Sequence, residues 1–458
     1  MAWARSPRRK PLVVRGARQV GKSWILQELG RREFESIAVC NFERDPDLGD
    51  LFAGEPRASL AWLEARLRIR ISPGKTLLFL DEIQAAPQVL SRLRYFAEEI
   101  PSLHVVAAGS LLDFALAAPE HSMPVGRVSF GYLEPMTFVE FLIATGEGRL
   151  AEIVRTVTPA RPPPQPLHHR LLALTRTYAL VGGMPAAVAA WIETGSAVEV
   201  NRVQRELLTS LRADFAKYRT RANVDRIGKV FDALPRLVGR KFMPVQVDRE
   251  EKAHGLKEAF RLLCLARVAT PVERSACNGV PLAAEVDARY SRVCVLDVGL
   301  FGALSGLDGS VLARSTDLLQ VHEGQLAEQL VGQALRAARS FDSDPRLFCW
   351  VREARTSNAE VDFVIQSGER PVPIEVKAGA TGRLRSLHVM IREKGLGLGV
   401  RVGSEPLQRS RVDTALPDGN GVSFELLSVP LYLASEIPRL VTEANAPPRR
   451  GRSPRRRG

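Results

Sequence analysis

Cysteine is scarce in this chain: five residues among 458, Cys40, Cys264, Cys277, Cys294 and Cys349, with no Cys-x-x-Cys pair. Such spacing excludes a disulfide framework and a zinc ribbon, and it reads as reduced, mostly buried thiols of a cytoplasmic protein. No run of 18 apolar residues occurs, and Met1-Ala2-Trp3-Ala4-Arg5 lacks the apolar core of a signal peptide, so no membrane partner is expected. Internal repeats are missing too. Acidic residues are absent from Pro447 to Gly458, which carries six arginines and so supplies nearly half of the net charge of +13. Residues 441–458 are therefore expected to form a disordered basic tail. That tail could grip a phosphate backbone without sequence preference, which makes DNA a candidate partner, or serve only as a solubilising extension.

What is present is ordinary in bulk, with 45% apolar and 25% charged residues, and the length predicts two to three domains. Locally it is not ordinary. Gly16-Ala17-Arg18-Gln19-Val20-Gly21-Lys22-Ser23 fits G-x-x-x-x-G-K-[ST] at every fixed position. A short apolar strand, Pro11-Leu12-Val13-Val14, precedes it, and a helical run, Trp24 to Leu29, follows. In that context the glycines let backbone N–H groups turn inward around a phosphate, aided by the positive end of the helix dipole. Lys22 would reach the β- and γ-phosphates of ATP, and the Ser23 hydroxyl would hold Mg²⁺.

Thr76-Leu77-Leu78-Phe79-Leu80 then ends in Asp81-Glu82, the form of a buried parallel strand whose C-terminal end meets a ligand. Asp81 is read as the magnesium-holding acid and Glu82 as the group that polarises the attacking water, although an acidic pair can also merely cap a helix. A third strand, Leu103 to Ala108, runs into Gly109-Ser110, and Ser110 takes the place of a γ-phosphate-sensing polar residue.

Downstream, Arg161-Pro162-Pro163-Pro164-Gln165-Pro166 reads as a stiff linker that closes a first domain, residues 1–160. Residues 167–305 read as mostly helical, over Leu171–Leu180, Val200–Tyr218, Val224–Val238 and Gly255–Cys264. Two extended runs follow, separated by Asn278-Gly279, a hairpin signal. Helices followed by a hairpin suggest a winged helix, a frequent DNA reader, or a plain spacer. A third unit, 306–440, combines Glu328 on an amphipathic helix with Val361-Asp362 and Glu375-Val376-Lys377 on strands. Alternation puts Glu375 and Lys377 on one strand face and Ile374 and Val376 on the other. Asp362, buried between apolar neighbours, would be costly if unpaired. Together these make a D…E-x-K pattern, in which Glu328, Asp362 and Glu375 would hold a divalent metal and Lys377 would steady the attacking water or developing charge.

Taken in order, the P-loop, Leu80-Asp81-Glu82, Gly109-Ser110, Gly126-Arg127-Val128, Glu134-Pro135-Met136-Thr137-Phe138, Gly182-Gly183-Met184-Pro185, Leu296-Asp297-Val298-Gly299-Leu300 and the Asp362…Glu375-Val376-Lys377 block resemble the prokaryotic AAA-type ATPases with a C-terminal DUF4143 domain. The resemblance spans roughly residues 11 to 435. It implies an α/β multidomain chain: an AAA-type parallel sheet, a winged-helix-like middle and a restriction-endonuclease-like C-terminal domain. It also makes Arg127 a candidate to contact the γ-phosphate, within the chain or from a neighbouring copy in a homo-oligomer, unless it only ties its loop down. Family members usually have more chain before the P-loop, so an upstream start would add an element packing on the adenine side.

Three functions remain open at this point. One is an ATPase whose nucleotide state gates a nuclease-like, DNA-associated domain. Another is an ATPase whose C-terminal domain only binds nucleic acid or a partner protein. The last is an ATP-driven signalling switch that touches no nucleic acid.

Overall fold

The computed structural model describes residues 2–110, 112, 126–218, 223–307, 323–352, 359–377, 384–416 and 419–445. The expected basic tail lies outside the described residues from 446 onward. Two sheets organise the described chain. The first is built from β1 (Leu12–Arg15), β2 (Ser36–Asn41), β3 (Thr76–Asp81), β4 (His104–Ala108) and β5 (Ser129–Tyr132), in the order β2-β3-β4-β1-β5. Every pairing in it is parallel. Both faces are apolar, as a doubly covered parallel sheet requires. Leu12, Val14, Leu77, Phe79, Val106 and Ala108 pack on one face, and Val13, Leu78, Leu80, Val105 and Ala107 on the other.

The middle is helical, with Gln165–Val181, Pro185–Thr194, Ala197–Ala213, Val224–Leu237 and Ala253–Leu265 as its longer helices. The first begins inside the proline run, with Pro166 in its first turn, where a missing N–H costs nothing. The linker is therefore shorter than expected. Helices Phe138–Ala144 and Gly148–Thr156, assigned from sequence to the first unit, share their apolar cluster with the middle helices.

The second sheet has eight mixed strands: β6 (Ala269–Ser275), β7 (Val286–Val295), β8 (Leu347–Val351), β9 (Glu360–Ser367), β10 (Arg370–Val376), β11 (Leu398–Gly403), β12 (Gln408–Ala415) and β13 (Gly421–Pro430). Their order is β12-β13-β11-β10-β9-β8-β6-β7. This corrects the winged-helix expectation. β6 and β7 do form an antiparallel hairpin, but β6 also pairs in parallel with β8, so the hairpin is the edge of the large sheet rather than a wing. A lone two-stranded hairpin is marginal in water, and the second backbone partner removes that weakness. The connection is also longer than a two-residue turn: 276–285 separate the strands, and Leu282–Glu285 is a 3-10 turn where a strand was expected.

A single apolar cluster runs through the molecule, from Ala17 and Val20 of the P-loop through the middle helices to Val400 and Leu427 of the second sheet. No single helix among the described residues is long and apolar enough to cross a membrane.

Candidate functional site

The P-loop connects the C-terminal end of β1 to the helix Lys22–Glu33. Its shape depends on glycine at two positions. Gly21 lies at φ +94°, and a Cβ on Gly16 would come 2.4 Å from the Leu133 carbonyl oxygen. Gln19 also adopts a left-handed backbone, φ +65°. Lys22, first residue of the helix, is buried, and its ammonium donates to the carbonyls of Gly16 (3.1 Å) and Ala17 (2.7 Å). Burial pulls Lys22 down to about 8, against the charges of Glu82 and Asp81 and with help from Arg18 and Arg267. A buried cation met by two neutral carbonyls is suited to an incoming anion.

Strand order brings the other residues to the same edge. β4 lies between β3 and β1, so Ser110, buried just beyond β4, emerges between the ends carrying Asp81 and Gly16. Ser23 Oγ donates to Asp81 Oδ1 at 2.9 Å, and Asn41, opposite Asp81 in β2, donates through Nδ2 to Oδ2 at 3.2 Å. Burial raises the Asp81 carboxyl, an effect that the Ser23 hydrogen bond counters. A hydroxyl and a carboxylate fixed together beside the phosphate loop fit Mg²⁺, which Ser23 and Asp81 would hold. Glu82 has a left-handed backbone, φ 51° and ψ 44°, and Gln84 Nε2 donates to its Oε2 at 2.5 Å.

Three partners here were not anticipated. Asn41 and Gln84 carry no motif. Arg18, inside the P-loop, donates through Nη1 to both carboxylate oxygens of Asp214, at 2.6 and 2.8 Å, at the end of a middle helix. No local pattern could pair positions so far apart in the chain.

Arg127 lies away from this edge. β5 runs parallel to β1 with Ser129 opposite Leu12 and Tyr132 opposite Arg15. Arg127 precedes β5, so it sits at the N-terminal edge of the sheet, while the P-loop follows the C-terminal edge, ~15–20 Å away at strand spacing. Its guanidinium pairs with Glu98 at 3.0 Å. Within one chain it ties down its loop and does not reach the phosphates.

The second constellation does assemble. Glu328, on the helix Glu323–Ala337, Asp362 on β9, and Glu375 and Lys377 at the end of β10 come together. Lys377 Nζ pairs with Glu375 Oε1 at 2.7 Å, and Asp362 Oδ2 accepts the Val376 N–H at 2.8 Å. Glu375 Oε2 is buried without a hydrogen bond. Burial raises both Glu328 and Glu375, and the negative charge of Asp362 raises them further. An unexpected residue sits among them. Arg292 of β7 donates through Nη2 to Glu328 Oε2 at 2.8 Å and faces Asp362 Oδ1 at 3.4 Å. Asp362, which would be costly if unpaired, thus has Arg292 and the Val376 N–H as its partners. Among the described residues no group of three or more His, Cys, Asp or Glu side chains is arranged to hold a metal ion. With Arg292 in place, Glu328, Asp362 and Glu375 do not fit the expected metal set.

The remaining motifs form a buried junction. Asp297 accepts from the backbone N–H groups of Gly183 (2.6 Å), Gly299 (3.0 Å) and Leu300 (3.0 Å), and from Gln333 Nε2 (3.1 Å). Gly183 in turn accepts from Met136 N at 2.8 Å, and a Cβ on Gly183 would lie 2.0 Å from the Met136 carbonyl oxygen. Arg336 pairs with Glu134 at 3.1 Å. Pro185 packs beside Gly21 of the P-loop. The Glu-Pro-Met, Gly-Gly-Met-Pro and Leu-Asp-Val-Gly motifs are therefore parts of one joint between the P-loop sheet, the middle helices and the helix Glu323–Ala337.

Three family models match successive parts of the chain. Residues 8–142 match the AAA domain family, residues 172–311 a domain of unknown function, DUF8612, and residues 323–417 another, DUF4143. The chain is an AAA-type P-loop protein with a C-terminal DUF4143 domain. Among solved structures, the Walker-type ATPase PABY2304 of Pyrococcus abyssi is similar at 15% identity and TM-score 0.42, over 65% of this chain and 91% of that one. PCH-2 of C. elegans is similar at 10% identity and TM-score 0.26, over 40% of this chain and 53% of that one. No curated protein matches the chain in sequence.

Proposed function

We propose that this chain binds ATP with Mg²⁺ at the P-loop, hydrolyses it, and passes its nucleotide state to the DUF4143 domain. The observation that carries this reading is the Ser23 Oγ to Asp81 Oδ1 contact of 2.9 Å beside the buried Lys22 ammonium. When bound, Mg²⁺ neutralises charge on the phosphate oxygens. Lys22 and the loop N–H groups bind and orient the phosphates, Ser110 lies beside them, and Glu82 takes up a proton from water held by its carboxylate.

Two links support the transmission. The Arg18–Asp214 pair ties the P-loop to the middle helices, and the Arg336–Glu134 pair ties the helix Glu323–Ala337 to the segment that follows β5. Buried free thiols suit a reducing, cytoplasmic setting. In the downstream domain, Arg292 favours a nucleic-acid- or partner-binding role over metal-dependent cleavage. A DNA partner predicts a salt-sensitive gel shift, and loss of that shift with the tail alone would place the contact there. In a homo-oligomer Arg127 could reach a neighbouring copy's nucleotide, and ATP-dependent assembly by light scattering tests that.

Lys22→Ala is expected to abolish ATP binding at micromolar protein, as read by isothermal titration. The wild type carries a further signature. Burial pulls the Lys22 ammonium down to about 8, whereas a bound triphosphate would hold it charged. Binding therefore takes up a proton above about pH 8, and affinity falls there by up to ~10-fold per pH unit. Lys22→Arg, always charged, should show no such fall. A wild-type affinity that stays flat from pH 7.5 to 9.5 would contradict the assignment.

A further inference from the structure

Arg292 is built into the carboxylate cluster. It is buried to 5% exposure, and each of its three nitrogens meets an acceptor. Nε donates to the Gly239 carbonyl at 2.8 Å, Nη2 to the same carbonyl and to Glu328 Oε2, and both Nη atoms face Asp362 Oδ1. The receptor for this guanidinium depends on a glycine. Gly239 sits at φ +71°, which presents its carbonyl to Arg292, and a Cβ there would come 2.4 Å from Glu328 Oε2. Glycine at this position thus admits both the carbonyl and the acid. Lys377 neutralises Glu375 from the other side.

We propose that Arg292 is the resident cation of this cluster, standing between Glu328 and Asp362 where a divalent ion would otherwise bind, so that the wild-type site takes no metal and cleaves no phosphodiester. A guanidinium cannot give up its proton to make room. A divalent ion would have to enter beside a buried positive charge or displace it from three oxygen acceptors. Take the guanidinium away and three carboxylates remain beside Lys377, a set of hard oxygen ligands of the kind that Mg²⁺ and Mn²⁺ use. The inference is independent of the ATP reading, since none of these residues touches the P-loop.

The test is Mn²⁺ binding to the full chain without nucleotide, followed by the loss of the free-ion signal in electron paramagnetic resonance. Metal held at the P-loop edge is common to all variants, so the difference caused by Asp362→Asn reports the cluster alone. Wild type and Asp362→Asn are expected to bind equally. Arg292→Gln is expected to gain one Mn²⁺ per chain, roughly 100-fold tighter than any binding at the wild-type cluster, and Arg292→Gln with Asp362→Asn to lose it again. Arg292→Lys, which keeps a positive charge, should gain none. The proposal fails if wild type binds one more Mn²⁺ than Asp362→Asn, or if a cooperatively melting Arg292→Gln protein gains no ion. Should Arg292→Gln not fold, plasmid nicking decides: nicking by wild type with Mn²⁺ that vanishes in Asp362→Asn overturns the proposal, and equal inactivity of both upholds it.

Discussion

Glu82→Gln protein is expected to bind ATP with wild-type affinity and to turn it over at least ~100-fold more slowly. The argument begins with backbone. Glu82 follows β3 directly and holds a left-handed conformation at φ 51°, which a non-glycine residue adopts at a cost of about 1–3 kcal/mol. Such strain persists only where surrounding contacts impose it. Here Gln84 supplies one of them through its 2.5 Å hydrogen bond to Glu82 Oε2. Gln84 is itself pressed against the end of β4, since a Cβ on Gly109 would lie 2.1 Å from its Oε1. The carboxylate is thereby held next to Asp81 at the mouth of the P-loop. Glutamine keeps the size and the hydrogen bonding of the side chain but cannot accept a proton from water. Binding should therefore survive while chemistry stops. Single-turnover kinetics separates the two, and wild-type turnover by Glu82→Gln would remove Glu82 from the role.

The second large effect is structural. Asp297→Ala should destabilise the protein by ~4 kcal/mol or more, because it strips an acceptor from four buried donors at once. Gly299 and Leu300 lose the N-cap of the helix Val298–Leu304, Gly183 loses the anchor of its loop, and Gln333, on the helix Glu323–Ala337, loses a partner. Asp297 is fully buried, so its donors lose their acceptor away from bulk water. That loss approaches the total stability of an ordinary domain. Because Gly183 also holds Met136, a few residues beyond the strand beside the P-loop, the surviving folded fraction should bind ATP more weakly. Denaturant unfolding checks the first part; a midpoint unchanged from wild type would show that Asp297 is not the keystone of the joint.

The phosphate site was readable from the sequence because its chemistry is local. A P-loop confines its glycines, lysine and serine to eight residues, and the Asp81-Glu82 pair announces itself at the end of an apolar strand. Spatially distant partners were not readable. Asp214 meets Arg18, and Arg292 meets Asp362, only after strands and helices have been arranged, and nothing in local periodicity encodes those pairings. One signal for Arg292 existed. It shares strand phase with Tyr290 and Cys294, both buried, and an arginine on an inward phase requires an acid. The hairpin was misplaced for a related reason: β6 and β7 are recognisable as strands locally, but the partnership of β6 with β8 spans a long stretch of chain. Arg127 followed a resemblance that could not say at which edge of the sheet it would lie.

The account rests on Lys22, Ser23, Asp81 and Glu82 forming one ATP-hydrolysing site. Release of inorganic phosphate from ATP by the full chain with Mg²⁺ tests this most directly, with Lys22→Ala and Glu82→Gln measured alongside. The account predicts multiple turnovers by wild type and background release by both variants, with ATP retained by Glu82→Gln alone. Equal release by all three proteins, or a wild type that binds ATP and never releases phosphate, would contradict it.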